Sequence, residues 1–248
     1  ELIQEKKEFK ETLNSLAMNL NNSSKFKEAS VVFYSLYQFD PKTEGKALKN
    51  ASILAVQSKD YILAQKMYEE YSTSDFLING VSYFGVNKVN GVEEEFNSKE
   101  ERTKYISLGS HEKPKDIKNS TKKQEVLKVL ALLYIQNGEN EKAKTVYAEA
   151  RKLAPNDEEL KKGEFDAYYN SGYALLAGDE KLVTEINNSI SDKKKYDELV
   201  KKRKEIFSKA LPDFEKAYSI IPTDTNTKFI LKTTYEILGQ PEKAKAIN

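Results

Sequence analysis

The sequence has 248 residues, of which 39% are hydrophobic and 32% charged, a soluble profile with slightly fewer apolar residues than a compact globule carries. Its 40 basic and 39 acidic side chains leave a net charge of +1, without the basic excess typical of nucleic-acid-binding proteins. The sequence contains no cysteine, which excludes disulfides, thiolate catalysis and cysteine-ligated metals. The longest apolar run, VLALLYI at 129–135, is far shorter than the roughly 20 residues of a membrane span.

Two pairs of helices are predicted first, at about residues 10–43 and 45–76. Apolar residues recur at helical spacing in both. A small residue in each second helix, Ala29 or Ala64, stands where two antiparallel helices would approach closely, and an aromatic residue follows four positions later. Pro41 ends the first pair because proline cannot continue a helix.

Residues 77–123 interrupt this pattern. The stretch VSYFGVNKVNGVEEEF predicts a β-hairpin at about 81–96, with Asn90-Gly91 as a two-residue turn. An isolated hairpin is marginal in water, so one face should pack against a helix pair. The residues of that face are Val81, Tyr83, Val89, Val92 and Phe96. Two interpretations stay open: the hairpin is a plug that seals the second pair, or it projects and shapes a partner site.

A short helix and a polar loop are predicted in the rest of the insertion. Ser98 and Glu101 resemble a capping box that opens the helix, which should end at Gly109. The only histidine, His111, follows in the loop, and the sequence places no nucleophile or orienting carboxylate around it. We expect a solvated side chain at this position rather than a catalytic one.

The clearest helix pair spans 34 residues, 124–157, with a glycine in its turn and a proline at its end. It resembles a tetratricopeptide repeat, whose signature is matched in register by Leu127, Leu130, Ala131, Tyr134, Gly138, Ala143, Tyr147, Ala150 and Pro155. The resemblance implies an all-α fold: a tetratricopeptide-type solenoid of helix pairs, a right-handed superhelix, with the β-hairpin inserted at about 81–96.

A second interruption lies inside the repeat at about 165–224. Its first helix is predicted at 167–179, but the partner helix around Ala210 arrives some 25 residues late. Between them we expect a helix to about Ile190 and a long helix from about Asp192 through Ser219. Seven basic residues at 193–204 are interpreted as a solvated helix face, with a binding patch as the alternative.

A partial repeat at 225–248 ends the sequence, and its Ala244 lies 34 residues after Ala210. The segments GVNKVNGVEEEFNSKEERTKYISLGSHEKP and KKYDELVKKRKEIFSKALPDFEKAYSIIPTD between repeats are similar to those of a group of tetratricopeptide-repeat proteins of Bacteroidetes and flavobacteria. Members are commonly exported, carry no catalytic residues and have no well-defined partner. The resemblance therefore implies a periplasmic or cell-envelope location, although composition leaves a cytoplasmic one open. We expect a single solenoid domain over 1–248.

No catalytic, metal or cofactor site is expected. A single histidine makes an HExxH zinc motif impossible, and the glycines at 80, 85 and 91 are spaced for turns rather than for a phosphate loop. The acidic cluster at 93–95 lacks the ligand spacing of a calcium loop.

The repeat pattern predicts a binding surface instead, because the first helices of stacked pairs line the concave side. By register this groove presents Asn14, Met18, Lys49, Asn50, Ile53, Lys128, Leu132, Tyr169, Tyr173, Phe229 and Thr233. Its mixed apolar and amide lining suits an extended or helical peptide. Lys49 and Asn50 match a fragment of the set with which some tetratricopeptide domains hold a C-terminal carboxylate. The rest of that set is missing, so this function is not carried over.

These patterns predict a non-enzymatic scaffold that binds a protein or peptide in its concave groove, and no nucleic acid. The alternative is a structural or self-associating envelope protein whose groove is filled by its own insert or by a second copy, which makes a homo-oligomer the rival prediction. An enzyme would need a concave site with convergent perturbed acids, which the sequence does not indicate.

Overall fold

The computed structural model describes residues 2–247 and divides the chain into two compact units, Glu1–Glu139 and Asn140–Asn248. Helices dominate both units, and a three-stranded sheet lies in the first. The predicted all-α class with an inserted hairpin is confirmed. The predicted repeat 124–157 crosses the boundary, since its first helix belongs to the first unit and its second helix to the second. The division into repeats stays a prediction.

The first unit is built from antiparallel helices that pack in sequence order. Helix α2 packs against α1 and α3, and α4 packs against α3 and α7. The alanines predicted for close helix approach, Ala29 and Ala64, are fully buried. The helices are α1 Leu2–Asn22, α2 Phe26–Phe39, α3 Gly45–Gln57, α4 Tyr61–Thr73, α5 Asp75–Ile78, α6 Lys99–Ser107 and α7 Lys123–Gln136.

The insertion forms a sheet of three antiparallel strands, not a lone hairpin. Strand β1 (Val81–Asn87) is central, β2 (Glu93–Phe96) pairs on one side and β3 (His111–Lys118) on the other. A 3-10 turn, Asn119–Lys122, joins β3 to α7. The third strand was not predicted, because its sequence HEKPKDIK is charged and contains a proline, both of which suit an exposed sheet edge.

The predicted two-residue turn is wrong. A two-residue turn at Asn90-Gly91 would place Gly85 opposite Phe96. Tyr83 lies there instead, so the register differs by two residues from the prediction. The chain turns instead through a four-residue loop, in which the Gly91 amide donates to the Asn87 carbonyl at 2.8 Å. Side-chain amides stabilise this loop: Asn87 Oδ1 accepts from the Val89 amide and Asn90 Oδ1 from the Val92 amide, both at 2.9 Å.

The longer loop changes which residues are buried. Val89 and Val92 are 95% and 53% exposed, so their predicted place on a half-buried face is wrong. Tyr83 and Phe96 do share a face, as expected, but that face is covered by α6 rather than by a helix pair. The guanidinium of Arg102 on α6 lies over the Tyr83 ring at 5.5 Å.

His111 is buried on β3 and is not a solvated loop residue, which corrects the prediction. Its ring is 5% exposed and meets the rings of Phe96 and Tyr105 at 5.0 and 5.5 Å. Its Nε2 lies 3.1 Å from Glu94 Oε2 on β2. The sequence hid this contact because the charged neighbours of His111 suggested a loop, whereas alternation along a strand points them away from it.

The predicted capped helix in the insertion is confirmed as α6. Ser98 Oγ accepts from the Glu101 amide at 3.1 Å, and Glu101 Oε2 accepts from the Asn97 amide at 2.7 Å. The reciprocal bond of the box thus reaches one residue further back than usual. Helix α6 ends at Ser107, and Gly109 adopts the left-handed region, with φ of +76°.

The second unit is all helical in the residues described. Helix α11 contains Pro212 and packs against α9, α10 and α12. The predicted helix to about Ile190 and the long helix through Ser219 are confirmed within a few residues as α10 and α11. The helices are α8 Asn140–Leu153, α9 Glu158–Leu175, α10 Asp179–Asn188, α11 Lys193–Ile220, α12 Thr225–Ile237 and α13 Pro241–Ala246.

The basic run at 193–204 lies on the first turns of α11, where its lysines are exposed. Arg203 differs from them, because it makes two hydrogen bonds of 2.8 Å with the Asp179 carboxylate and so joins α11 to α10. This arrangement supports the interpretation of a solvated helix face.

Candidate functional site

The first unit contains a cavity of about 280 Å³ between α3, α4, α7 and the inserted sheet. Its volume is close to the lower end of the range for small-ligand sites, about 300–1,000 Å³. Aromatic and aliphatic side chains form most of its lining: Ile53, Tyr68, Tyr71, Phe84, Ile117, Val126 and Val129. The polar lining residues are Lys49, Ser82, Asn119, Lys122 and Glu125. We call this space the sheet-walled cavity.

The alternation of β1 explains how the sheet provides one wall. Successive side chains of a strand point to opposite faces, so Tyr83 faces α6 while Ser82 and Phe84 line the cavity. Ile117 on β3 lies opposite Ser82 and joins the same face. The sheet is therefore covered by a helix on one face and forms the wall of a cavity on the other.

Two tyrosines of α4 form another part of the wall. Tyr68 and Tyr71 are 7% and 6% exposed, and their ring centroids are 6.3 Å apart. Burial raises the pKa of Tyr68 to about 12. Burial also raises the pKa of Tyr71, and the nearby Tyr68 and Glu95 raise it further. Both phenols are protonated at neutral pH and can act as hydrogen-bond donors.

A chain of polar contacts holds the sheet against α3. Lys49 Nζ donates to Glu95 Oε2 at 2.7 Å. Ser82 Oγ lies 2.8 Å from both Glu95 Oε1 and Asn119 Oδ1, and its single hydrogen serves one of these oxygens at a time. Asn119 Nδ2 donates to the Phe76 carbonyl at 2.8 Å, which fixes the orientation of the amide. We call these contacts the α3–sheet strap.

Ionisation equilibria in the strap reflect burial and charge pairing. Burial would raise the pKa of Glu95, but the hydrogen bond and charge of Lys49, together with Ser82, outweigh it and hold this pKa below its ordinary value. Lys46, one turn before Lys49, donates to the Glu95 carbonyl at 3.3 Å and to Asn97 Oδ1 at 3.1 Å. Burial lowers its pKa. Glu95 thus stays ionised at neutral pH.

Only two of the predicted groove residues, Lys49 and Ile53, line the sheet-walled cavity. On α7 the cavity is lined by Glu125, Val126 and Val129, whereas the predicted Lys128 is partly buried beside it and Leu132 is 50% exposed.

The other predicted residues of the first unit lie elsewhere. Asn14 lines a second, more open cavity of about 670 Å³ between α1, α2 and α3. Met18 is 44% exposed and Asn50 is partly buried, and neither lines either cavity.

Four predicted groove residues belong to the second unit. The rings of Tyr169 and Tyr173 on α9 are 4.8 Å apart, and Phe165 stacks on Tyr169 at 5.6 Å. Phe229 on α12 is 70% exposed, and its carbonyl accepts from Thr233 Oγ1 at 3.0 Å. The structure thus places the two tyrosines together and the two α12 residues one turn apart.

Sequence reasoning missed most of the cavity lining. Tyr68, Tyr71 and Val126 fit helical packing positions, which predict core residues rather than a cavity wall. Phe84 is the residue whose sequence position could have indicated the cavity, because it is an aromatic residue that interrupts the polar face of the predicted hairpin. Ile117 lies on the strand that the sequence did not predict.

The remaining features that could indicate a functional site are a metal-ligand cluster, the single histidine and a membrane-spanning helix. No group of three or more acidic, histidine or cysteine side chains is placed to hold a metal ion in residues 2–247. His111 and Glu94 face α6, on the opposite side of the sheet from the cavity. Within the same range, no helix is long and apolar enough to cross a membrane.

No protein-family model matches the sequence, and no curated protein matches it. Solved structures do match. YrrB, a TPR protein with an unusual peptide-binding site, is 13% identical over 95% of this chain and 80% of its own, with a TM-score of 0.40. A tetratricopeptide repeat protein from Parabacteroides merdae is 14% identical over 96% of this chain and 76% of its own, with a TM-score of 0.39.

A TPR repeats protein from Bacteroides fragilis is 16% identical over 92% of this chain and 98% of its own, with a TM-score of 0.37. All three belong to the tetratricopeptide class that the sequence resembles. The narrower resemblance to a Bacteroidetes group with a hairpin insert stays a prediction.

Proposed function

We propose that this chain is a non-catalytic scaffold that binds a peptide or protein segment through the face formed by the first helices of its pairs. In the first unit that face includes the sheet-walled cavity. The observation that carries the proposal is the composition of this cavity: apolar and tyrosine walls with a few polar groups, open enough that Ile53 is 39% exposed. Such a lining is typical of sites that bind an apolar group with defined orientation.

A structural or self-associating protein is the second candidate. The specific observation in its favour is the α3–sheet strap, through which the insert itself covers part of α3. If the insert or a second copy fills the groove, no foreign partner is required. Light scattering distinguishes a second copy of the chain from the insert as the occupant of the groove. A dimer that dissociates when Ile53 is replaced by arginine would identify the second copy as the occupant.

Photo-crosslinking in the cells that produce the protein tests the scaffold proposal. A crosslinking amino acid at position 53 or 173 should capture a discrete partner band. The matched control is position 31, where Val31 on α2 is 46% exposed but lies on a second helix. Equal, unspecific capture from positions 53, 173 and 31 would count against binding on the first-helix face.

We further propose a periplasmic or cell-envelope location, supported by the sequence resemblance alone. Fractionation of the producing cells followed by immunoblotting tests it, and recovery with cytoplasmic markers would contradict it.

A further inference from the structure

The two tyrosines of the sheet-walled cavity differ in their hydrogen bonds from three other tyrosines of the described chain. The hydroxyls of Tyr34, Tyr134 and Tyr235 each donate to a glutamate carboxylate, at 2.7 to 2.8 Å. The hydroxyls of Tyr68 and Tyr71 make no hydrogen bond to any residue within 2–247. Leaving a buried polar group without a partner costs free energy, so native structures normally provide one.

These two hydroxyls keep contact with open space. Both rings line the cavity and are more than nine-tenths buried. Their oxygens are not among the fully enclosed polar atoms that lack a partner in the described part of the chain, which are Arg102 Nε, Arg151 Nε and Gln240 Oε1. Each phenol thus has accessible surface at its oxygen while its ring is packed.

The polar groups of the cavity leave more donors than acceptors. Lys49 donates one of its three ammonium hydrogens to Glu95, and Ser82 donates its single hydrogen to either Glu95 or Asn119. Lys122 and Glu125 pair with each other at 3.1 Å. A molecule that fits this cavity must therefore bring apolar bulk together with hydrogen-bond acceptors.

We propose that the sheet-walled cavity takes one bulky apolar side chain of a partner peptide, while the Tyr68 and Tyr71 hydroxyls donate hydrogen bonds to carbonyl oxygens of that peptide's backbone. A peptide carries both required groups within one residue: the side chain supplies apolar bulk, and the adjacent carbonyls supply acceptors. Ile53 on α3 and Phe84 on the sheet, which both line the cavity, contact the inserted side chain. This assignment deepens the scaffold function and rests on it.

The cavity volume limits the insertion to a single anchor. At about 280 Å³ it lies just below the smallest drug-sized ligand sites, so it holds one large side chain and not a folded element. Peptide recognition commonly works through such anchors, with a pocket for one side chain and main-chain hydrogen bonds around it. Specificity then follows from the size of the anchor, and the hydroxyls set the direction of the peptide.

The test selects peptides with the full chain and compares their affinities for variants. A display library of random peptides about 12 residues long is enriched on the protein, and binding of the enriched peptides is measured by titration calorimetry. The double variant Tyr68→Phe/Tyr71→Phe removes only two oxygen atoms and no protein hydrogen bond. We expect it to keep the melting temperature and to weaken peptide binding by at least about fivefold.

Three further variants separate binding from folding. Ile53→Arg should weaken the same peptides by about tenfold or more. Ile62→Arg is its matched control, because Ile62 is 77% exposed on α4 and does not line the cavity, and it should leave affinity unchanged. Tyr134→Phe removes a hydroxyl that donates to Glu69, so it should lower the melting temperature without changing affinity.

The outcomes distinguish this assignment from the broader function. If Ile53→Arg abolishes binding but the double tyrosine variant binds as tightly as the wild type, the role of the hydroxyls is overturned and the scaffold function stands. If enriched peptides bind equally to Ile53→Arg and to Ile62→Arg, the cavity is not the site. If the library yields no bound peptide, or the enriched peptides share no bulky apolar position, the assignment is overturned.

Discussion

Single residues set how closely the helices of the second unit approach. A Cβ built on Gly172 of α9 would lie 2.7 Å from Phe214 Cε1 on α11. Phe214 is fully buried, so its ring cannot move aside without disturbing the core around it. Gly163, nearer the N-terminus of α9, faces the ring of Tyr147 on α8 in the same way, with a distance of 2.5 Å from the built Cβ to Cε1. Large aromatic residues on one helix thus fit against glycines on the next.

Replacing Gly172 with alanine tests whether helix propensity or side-chain packing dominates the free energy of unfolding at this position. Propensity alone predicts a gain of about 0.5–1 kcal/mol, because glycine is unfavourable in a helix interior. Packing predicts a loss of about 1–3 kcal/mol, because the methyl group meets Phe214. We expect the loss to prevail, and urea denaturation measures it. A variant at least as stable as the wild type would show that the α9–α11 contact is loose.

At the scale of elements, the inserted sheet has two different faces. On its α6 face, the buried rings of Phe96 and His111 contact the ring of Tyr105 on α6, which is 41% exposed. Its other face forms the wall of the cavity and is held to α3 by Lys49 and Glu95. The two interpretations left open by the sequence, a plug and a partner-shaping element, are therefore compatible in one sheet.

The α3–sheet strap should weaken in acid. The folded-state pKa of Glu95 is lowered, so its contribution to stability is present above the ordinary value of 4.5 and is lost as pH falls through the folded pKa. We expect wild type to be more stable than Glu95→Gln at neutral pH, with the difference shrinking below pH 4.5. Urea denaturation between about pH 7 and pH 3 measures it.

Lys49→Met provides the control for this pH dependence. Without the ammonium group, Glu95→Gln should have a much smaller effect at neutral pH, because the main group that lowers the Glu95 pKa is gone. A stability difference between wild type and Glu95→Gln that stays constant over the whole pH range would contradict the strap as an ionic contact.

The stability of the sheet should depend on Asn90 and Gly91, which lie in the four-residue loop between β1 and β2. Replacing both with alanine removes the hydrogen bond that the Val92 amide donates to Asn90 Oδ1, and it forces a side chain into a φ of +72° at position 91. We expect a loss of about 2 kcal/mol in chemical denaturation. The control is Val89→Ala, at a loop position that is 95% exposed, with almost no effect. Unchanged stability of the double variant together with failed partner capture would assign the loop to binding instead.

Across the whole molecule, periodicity predicted the helices and alternation predicted where the first two strands lie. The alanines predicted in the second helix of each later pair are buried, as close helix approach requires. Ala143 and Ala210 are fully buried, and Ala244 is 5% exposed. The sequence could not reveal that side-chain amides extend the hairpin turn, nor that a charged segment containing a proline forms an edge strand. The cavity escaped prediction for the same reason, since Ile117 of its lining lies on that third strand.

The central claim is that the chain binds a peptide in the sheet-walled cavity. Methyl NMR of the full chain with an enriched peptide tests it most directly, because the methyl groups of Ile53, Ile117, Val126 and Val129 line the cavity. We expect large chemical-shift changes at these four residues and none at Ile62. Shifts confined to Ile62 or other residues outside the cavity, with the four lining residues unchanged, would contradict it.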